Sequence, residues 1–158
     1  TIFPVKKNRQ VDFLDGGVSS FRHSIFDKFS FTDSYRDYGL GEDKDFSFAL
    51  AKASRIMVTP KARLYHYESP LMRPDKRAWG RKFILGRYLF FKKYVRKGKL
   101  DSVLFWYAIF GYCLARTVIA VLSLRKNELS RLRGIAEALG SILSGAMQKK
   151  SEDYKEGL

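Results

Sequence analysis

The sequence predicts an α/β unit followed by helices that associate with a membrane. In residues 1–72, short runs of strand-forming residues bounded by Gly and Pro flank one helical pattern, which is typical of an α/β unit. A 22-residue apolar run from Val103 to Leu124 follows. At ~1.5 Å per residue it could just span the ~30 Å hydrocarbon core of a bilayer. A block of basic residues, 73–99, lies between the two parts.

The composition of the 158 residues excludes several classes of protein. With 46% hydrophobic and 15% aromatic residues, the chain has too much apolar surface for a disordered basic tail. A single cysteine, Cys113, excludes a disulfide framework, and the two histidines exclude a histidine-rich metal site. Because the chain begins at Thr1 rather than Met, we expect it to be the C-terminal piece of a longer protein.

The net charge of +14 is concentrated in one segment. Residues 73–99 carry 11 basic side chains and one acidic side chain, whereas the segments on either side are nearly balanced. An anionic membrane surface attracts such a block beside an apolar run, at about 1 kcal/mol per well-placed Lys or Arg. A solvated helical face is the alternative interpretation. Nucleic-acid binding would leave the apolar run without a role, so we predict no nucleic-acid partner.

Local signals predict the elements of residues 1–72. A strand is expected at Val11–Leu14, ended by the turn residues Asp15–Gly17. Apolar residues at helical spacing, with acidic residues in the first turn, predict a helix at Glu42–Ala53. Two further short strands are expected at Arg55–Thr59 and Ala62–His66, separated by a proline.

The rest of the chain is predicted to be helical, and the sequence leaves open how these helices are arranged relative to a membrane. A basic and aromatic helix is predicted at Asp75–Val95, and an amphipathic stripe runs from Leu129 to Met147. In the apolar run between them, Arg116 disfavours a simple span, at about 2.5 kcal/mol or more near the bilayer centre. Both flanks of that run are basic. A span, a hairpin turning near Gly111 and a helix lying in the interface therefore all remain possible.

The acidic residues at the start of the predicted helix are the strongest candidates for catalytic residues. Gly41 precedes two adjacent carboxylates, Glu42 and Asp43, at a junction between a loop and a helix. One of them can face a cleft and accept the proton of a hydroxyl, which is the work of a general base. The alternative is ordinary helix capping, since acidic residues are common in the first turn.

Two further candidates are weaker. His66 ends a predicted strand, where a histidine can ligate a metal or bind phosphate, or simply be half-buried with a hydrogen-bonded neighbour. The segment Asp15–Gly17, with Arg22 shortly after it, can form a loop whose backbone approaches a ligand closely, or an ordinary turn.

Taken in order, these residues resemble the C-terminal half of a family 2 glycosyltransferase catalytic domain, which has the GT-A fold. The resemblance rests on four segments: Asp15 to Arg22, Phe26 to Tyr38, Gly39 to Ser47, and Pro60 to His66. They resemble, respectively, the family's Gly-rich segment before an arginine-containing short helix, its aromatic loop, its Glu-Asp motif at a helix start, and its closing Pro-x-Ala strand.

The resemblance implies a role for each matched residue. Asp43 would be the catalytic base, and Glu42 would support the acceptor or orient Asp43. His66 would help to bind a divalent metal, Mg²⁺ or Mn²⁺, on the donor diphosphate. The residues implied to line the substrate cleft are Asp15, Gly16, Gly17, Arg22 and Gly41.

The implied activity is transfer of a sugar from a nucleotide-diphosphate sugar to a hydroxyl of a glycan or lipid-linked acceptor, with inversion. It would serve cell-envelope or polysaccharide biosynthesis at the cytoplasmic face of the cell membrane. The family's donor-binding half is not among these residues, so the fragment alone is expected to be inactive. The alternative is a membrane-binding module without enzymatic activity. The expected organisation is a catalytic part at 1–72, a basic helix at 73–99, membrane-associated helices at 100–148 and a polar tail at 149–158.

Overall fold

The structure, a computed structural model, describes residues 5–35, 40–63, 65 and 75–145. The described residues fall into two compact units. The first comprises 5–35 together with 41–63 and 65, and the second comprises residue 40 and 75–145.

One helix organises the first unit. Helix α1 spans Glu42–Ala51, and a two-stranded antiparallel sheet pairs β1 (Arg9–Gln10) with β2 (Met57–Val58). The other described residues of this unit are irregular and include 3-10 turns at Gly16–Val18, His23–Ile25 and Asp33–Tyr35. Since residues 5–35, 41–63 and 65 hold no further strand or α-helix, their core depends on the apolar face of α1.

Phe46 of α1 is the centre of that core. Its ring is buried and lies 5.1 Å from the ring of Phe21 and 4.3 Å from that of Phe31, between centroids. Leu50 and Ile56 are buried beside it. These aromatic contacts hold the irregular segment 21–31 against the helix, because each ring pair adds directional packing to the apolar area that is buried.

The described part of the second unit contains three α-helices. Helix α2 spans Lys76–Phe90 and continues into a π-helical turn at Phe91–Val95; α3 spans Lys99–Ser123 and α4 spans Lys126–Leu143. Their shared core contains the buried side chains Ile84, Leu85, Ile109, Ile135, Ala138 and Ile142. The amphipathic stripes of the sequence thus face one another, as expected for helices that are individually too weak to persist in water.

Glycines set the closeness of α2 and α4. A Cβ atom on Gly134 would overlap the backbone carbonyl of Arg77, and a Cβ atom on Gly80 would overlap that of Arg131. Arg77 also pairs with Glu137, its Nε lying 2.7 Å from Oε1. Residue numbers increase along α2 as they decrease along α4 at these contacts, so the two helices cross antiparallel with their backbones in contact.

The expected α/β fold, as half of a GT-A domain, is wrong. Helices account for 65% of the described residues, and the one sheet found among them has two strands of two residues each. A layered α/β fold requires several neighbouring strands with a common apolar face. Both residues of β1 are exposed, so this short sheet offers no such face.

The predicted strands differ most from the structure. The Val11–Leu14 run is irregular apart from the Val11 N–H, which donates to the Ile56 carbonyl at 3.2 Å. The predicted strand at Arg55–Thr59 contains β2, but β2 is shorter, with two residues. Of the third strand, residues 62, 63 and 65 are not in a sheet, and Leu64 and His66 lie outside the described residues.

The predicted helices are confirmed, with shifted ends. The Asp75 carboxylate caps α2 by accepting from the Arg77 and Ala78 N–H groups, at 3.0 and 3.2 Å. Helix α3 begins four residues before the predicted start at Val103, because the Asp101 carboxylate accepts from two N–H groups that precede the helix. It runs unbroken through Gly111, so the hairpin considered for this segment is not present.

Candidate active site

The structure brings two of the sequence-predicted segments into contact. The Gly16 N–H donates to Asp43 Oδ2 at 2.6 Å, across 27 residues of chain. The approach is close: a Cβ atom on Gly16 would lie 3.0 Å from the Asp43 Cβ and 3.2 Å from Oδ2, so a larger residue would require the Asp43 side chain to shift by a few tenths of an ångström. The glycine segment and the Glu-Asp segment therefore meet at the N-terminus of α1.

Two backbone donors orient the Asp43 carboxylate. Oδ2 accepts from Gly16, and Oδ1 accepts from the Lys44 N–H at 2.8 Å. Because each carboxylate oxygen offers about two acceptor positions, one position on each oxygen remains for a further donor. Asp43 is partly exposed. A hydroxyl that approached either oxygen within about 3 Å would meet a positioned acceptor for its proton.

The loop segment is tied to α1 at two further points. The buried Ser47 Oγ accepts from the Leu14 N–H at 2.9 Å and lies 2.8 Å from the Asp43 carbonyl oxygen, to which it donates. The Lys44 Nζ lies 4.5 Å from the centroid of the Phe13 ring. Residues 13–16 thus follow the first turn and a half of α1, which fixes where the Gly16 N–H points.

The other predicted site residues surround this contact without joining it. Asp15, Gly17 and Glu42 are exposed, and Glu42 makes no side-chain hydrogen bond within the part of the chain that is described. Gly41 precedes α1 with a φ of 112°, the left-handed region that favours glycine, and so turns the chain into the helix. Arg22 is exposed at the start of a 3-10 turn and has no ion-pair partner among the described residues.

The described residues do not test the expected metal site, because they do not include its predicted ligand. No group of three or more His, Cys, Asp or Glu side chains that could hold a metal is found in residues 5–35, 40–63, 65 and 75–145. Asp43 and Asp45 are two residues apart, so they point to different sides of α1. Asp45 is buried and accepts from the Tyr35 hydroxyl at 3.4 Å. His66, the predicted ligand, lies outside the described residues.

Comparison adds no relative to this picture: no protein-family model, curated protein or solved structure matches the chain.

A second functional feature lies in the helical unit. Among the described residues, α3 is the one helix that is long and apolar enough to cross a membrane, by length and composition. It has 25 residues, and 11% of its most apolar 18-residue stretch is buried. This supports an association of the chain with a membrane.

Reasoning from the sequence missed Ser47 and the cluster around Glu128. Ser47 follows Asp43 by four residues, one helical turn, which is a signal that it shares that face of α1. Glu128 follows the apolar run and pairs with Arg116 inside that run, Nη2 to Oε2, at 2.8 Å. No spacing rule connects these two residues, since the chain turns between them.

Replacing Ser47 with alanine should loosen the loop that carries Gly16. The Leu14 N–H would lose its partner, which costs about 1–2 kcal/mol for a partly buried donor. We expect the Leu14 amide to exchange its hydrogen about 5–30-fold faster, each 1.4 kcal/mol being tenfold, as measured by NMR or mass spectrometry. Ser54→Ala, at an exposed serine just after α1, is the control and should change nothing. Unchanged exchange at Leu14 in the Ser47 variant would contradict the assigned role.

Proposed function

We propose that residues 11–66 form the acceptor side of a glycosyltransferase site, in which Asp43 is the general base. The observation that carries the proposal is the 2.6 Å hydrogen bond from Gly16 to Asp43, which joins the two segments that resemble the family 2 enzymes. The proposal concerns the chemistry of these residues and not the α/β fold, which the structure contradicts.

The proposed reaction uses the free acceptor positions of Asp43. A hydroxyl of a glycan or lipid-linked acceptor gives its proton to Asp43 as its oxygen attacks the anomeric carbon of a nucleotide-diphosphate sugar. The nucleoside diphosphate leaves with the electron pair of the broken bond, and a single displacement inverts the anomeric configuration. The Gly16 and Lys44 N–H groups hold the carboxylate in place, which lowers the cost of orienting it in the transition state. Glu42, exposed one residue before, would contact the acceptor.

We place this reaction at the cytoplasmic face of the cell membrane, in the assembly of a cell-envelope glycan or polysaccharide. Support comes from α3 and from the basic block beside it, which an anionic lipid surface attracts. The substrates would be a nucleotide-sugar donor and an acceptor presented at the membrane. A divalent metal, Mg²⁺ or Mn²⁺, held on the donor diphosphate with the help of His66, would offset the charge of the departing nucleoside diphosphate.

Asp43→Asn should abolish transfer while the fold persists. Asn keeps the size of the side chain and one acceptor oxygen but cannot take a proton, so we expect the rate of transfer to fall about 100-fold or more. Since donor binding is assigned to residues outside these 158, the assay uses the protein encoded by the complete reading frame. The readout is incorporation of labelled sugar from UDP-, GDP- and dTDP-sugars into the membrane fraction.

Asp27→Asn is the matched control, since Asp27 is exposed in the same unit and the resemblance implies no catalytic or binding role for it. It should transfer at the normal rate, and the Leu14 amide should exchange normally in both variants. Transfer by Asp43→Asn at the control rate would refute the base assignment. A complete reading frame without a nucleotide-binding part upstream of Thr1 would refute the enzyme itself.

A membrane-binding module without enzymatic activity is the second candidate, and the exposed apolar surface of α3 favours it. It predicts binding to vesicles that is independent of Asp43. Membrane binding together with loss of transfer in Asp43→Asn would support the enzyme, and membrane binding with no transfer by the complete protein would support the module.

A further inference from the structure

One face of α3 is apolar and open along the whole helix. Its exposed large side chains recur every three or four residues and so lie on one side: Val103, Tyr107, Phe110, Leu114, Val118 and Val121. Val103 is 63% exposed, Phe110 66% and Val121 63%. A continuous apolar stripe of this length marks an interaction surface, unlike apolar residues that are exposed singly.

The opposite face of α3 is covered by the other two helices. The Phe83 ring of α2 stacks on that of Tyr112, with centroids 4.7 Å apart, and Phe91 stacks on Phe105 at 4.2 Å. Glu128 of α4 pairs with Arg116. Because these contacts run from residue 105 to residue 116, α2 and α4 lie beside the middle of α3 and not only at its ends.

This packing determines how α3 can meet a bilayer. If α3 crossed the membrane as packed here, α2 and α4 would enter with it. They carry exposed charged side chains, including Arg77, Arg81, Arg87 and Arg133. Each would cost about 2.5 kcal/mol or more in the hydrocarbon. With α3 lying in the plane of the interface, its apolar stripe enters the acyl chains while those charges stay in water.

The charges near α3 agree with the in-plane arrangement. Basic residues flank both ends, with Lys97 and Lys99 at the start and Arg125 and Lys126 at the end, all exposed. A spanning helix would place the two pairs on opposite sides of the membrane, whereas a helix lying flat places both in one layer of anionic headgroups. Arg116 lies on the covered face, paired with Glu128, and so avoids the lipid.

We propose that the α2–α3–α4 unit is a monotopic anchor, with α3 lying in the plane of an anionic bilayer and its Val103–Val121 stripe inserted among the acyl chains. The inference rests on the membrane association proposed above but not on the transfer reaction. With the hairpin excluded, the sequence left two arrangements open, a spanning helix and a helix lying in the interface. The proposal selects the second.

The depth of three positions along the stripe tests the proposal. Cys113 is the one cysteine of the chain, so in a Cys113→Ala background we would introduce Val103→Cys, Phe110→Cys or Val121→Cys singly. These positions share one side of the helix. Each variant of the full chain carries a fluorescent label and is bound to phosphatidylglycerol–phosphatidylcholine vesicles containing lipids brominated at known depths. Arg133→Cys, on an exposed position of α4, is the control.

We expect all three stripe labels at one shallow depth and the Arg133 label in water. A spanning helix would instead place the Phe110 label about 10 Å deeper than the Val103 label, since seven residues rise that far. That gradient would overturn the in-plane arrangement but not membrane binding. Stripe labels that meet no lipid, with a doubled mass in solution, would overturn membrane binding in favour of a second copy. Binding about tenfold or more weaker to pure phosphatidylcholine is also expected, and equal binding would overturn the preference for anionic lipid.

Discussion

Gly134→Ala should destabilise the helical unit, although alanine is the better helix former. A Cβ atom on Gly134 would lie 3.0 Å from the Arg81 backbone N and would overlap the Arg77 carbonyl. Both neighbours are helix backbone, so they can give way only if α2 and α4 move apart along their whole contact. Overpacking of this kind costs about 3 kcal/mol or more, against about 1 kcal/mol gained in helix propensity. The net loss is therefore about 2 kcal/mol or more.

Gly140→Ala is the matched control for this prediction. It makes the same chemical change in the same helix, but a Cβ atom on Gly140 meets nothing within 4 Å. It should stabilise the unit by up to about 1 kcal/mol. Chemical denaturation followed by tryptophan fluorescence measures both changes, since the two tryptophans, Trp79 and Trp106, belong to α2 and α3. Equal effects of the two substitutions would show that the backbones do not meet at Gly134.

Glu128→Gln should separate α4 from α3. One carboxylate oxygen, Oε2, lies 2.8 Å from Arg116 Nη2 and 3.3 Å from Arg131 Nη1, and the three side chains are 15–18% exposed. Arg116 Nη2 and the Nε atoms of both arginines are buried without hydrogen bonds to the described residues, so Arg116 and Glu128 form an ion pair without hydrogen-bond geometry. Glu128 therefore supplies the main charge compensation for both arginines. Removing one partner of a buried pair typically costs about 3–5 kcal/mol. For this partly exposed cluster we expect about 2–4 kcal/mol by the same denaturation assay.

Glu137→Gln is the control, because it removes the same charge from the same helix, α4, at a different ion pair. Its partner Arg77 is 57% exposed and Glu137 itself 38%, so the pair is screened by water and the expected loss is at most about 1 kcal/mol. Combining Glu128→Gln with Arg116→Met should recover part of the lost stability, since an apolar side chain needs no counter-charge. A double variant no more stable than Glu128→Gln would mean that the pair is not what joins the helices.

Much of the candidate site could be predicted from the sequence, because its signals are local. Adjacent carboxylates after a glycine mark the start of α1, and Asp15–Gly17 marks a turn. That Gly16 donates to Asp43 could not be predicted, since the contact joins residues 27 apart in the chain and no local pattern links them. Ser47 was missed for a related reason: its partner Leu14 is 33 residues away in the chain.

The sequence by itself determined the helices, their approximate ends and the uneven charge of this protein. These follow from periodicity, capping and composition, which act over a few residues. The tertiary structure alone decided the fold class, because strand pairing depends on partners distant in the chain, and only four of the described residues find them. It also decided which side of α3 is covered. An apolar helix is compatible with a core, a span or an interface, and only the packing of α2 and α4 against one side shows where its charges and its open stripe must lie.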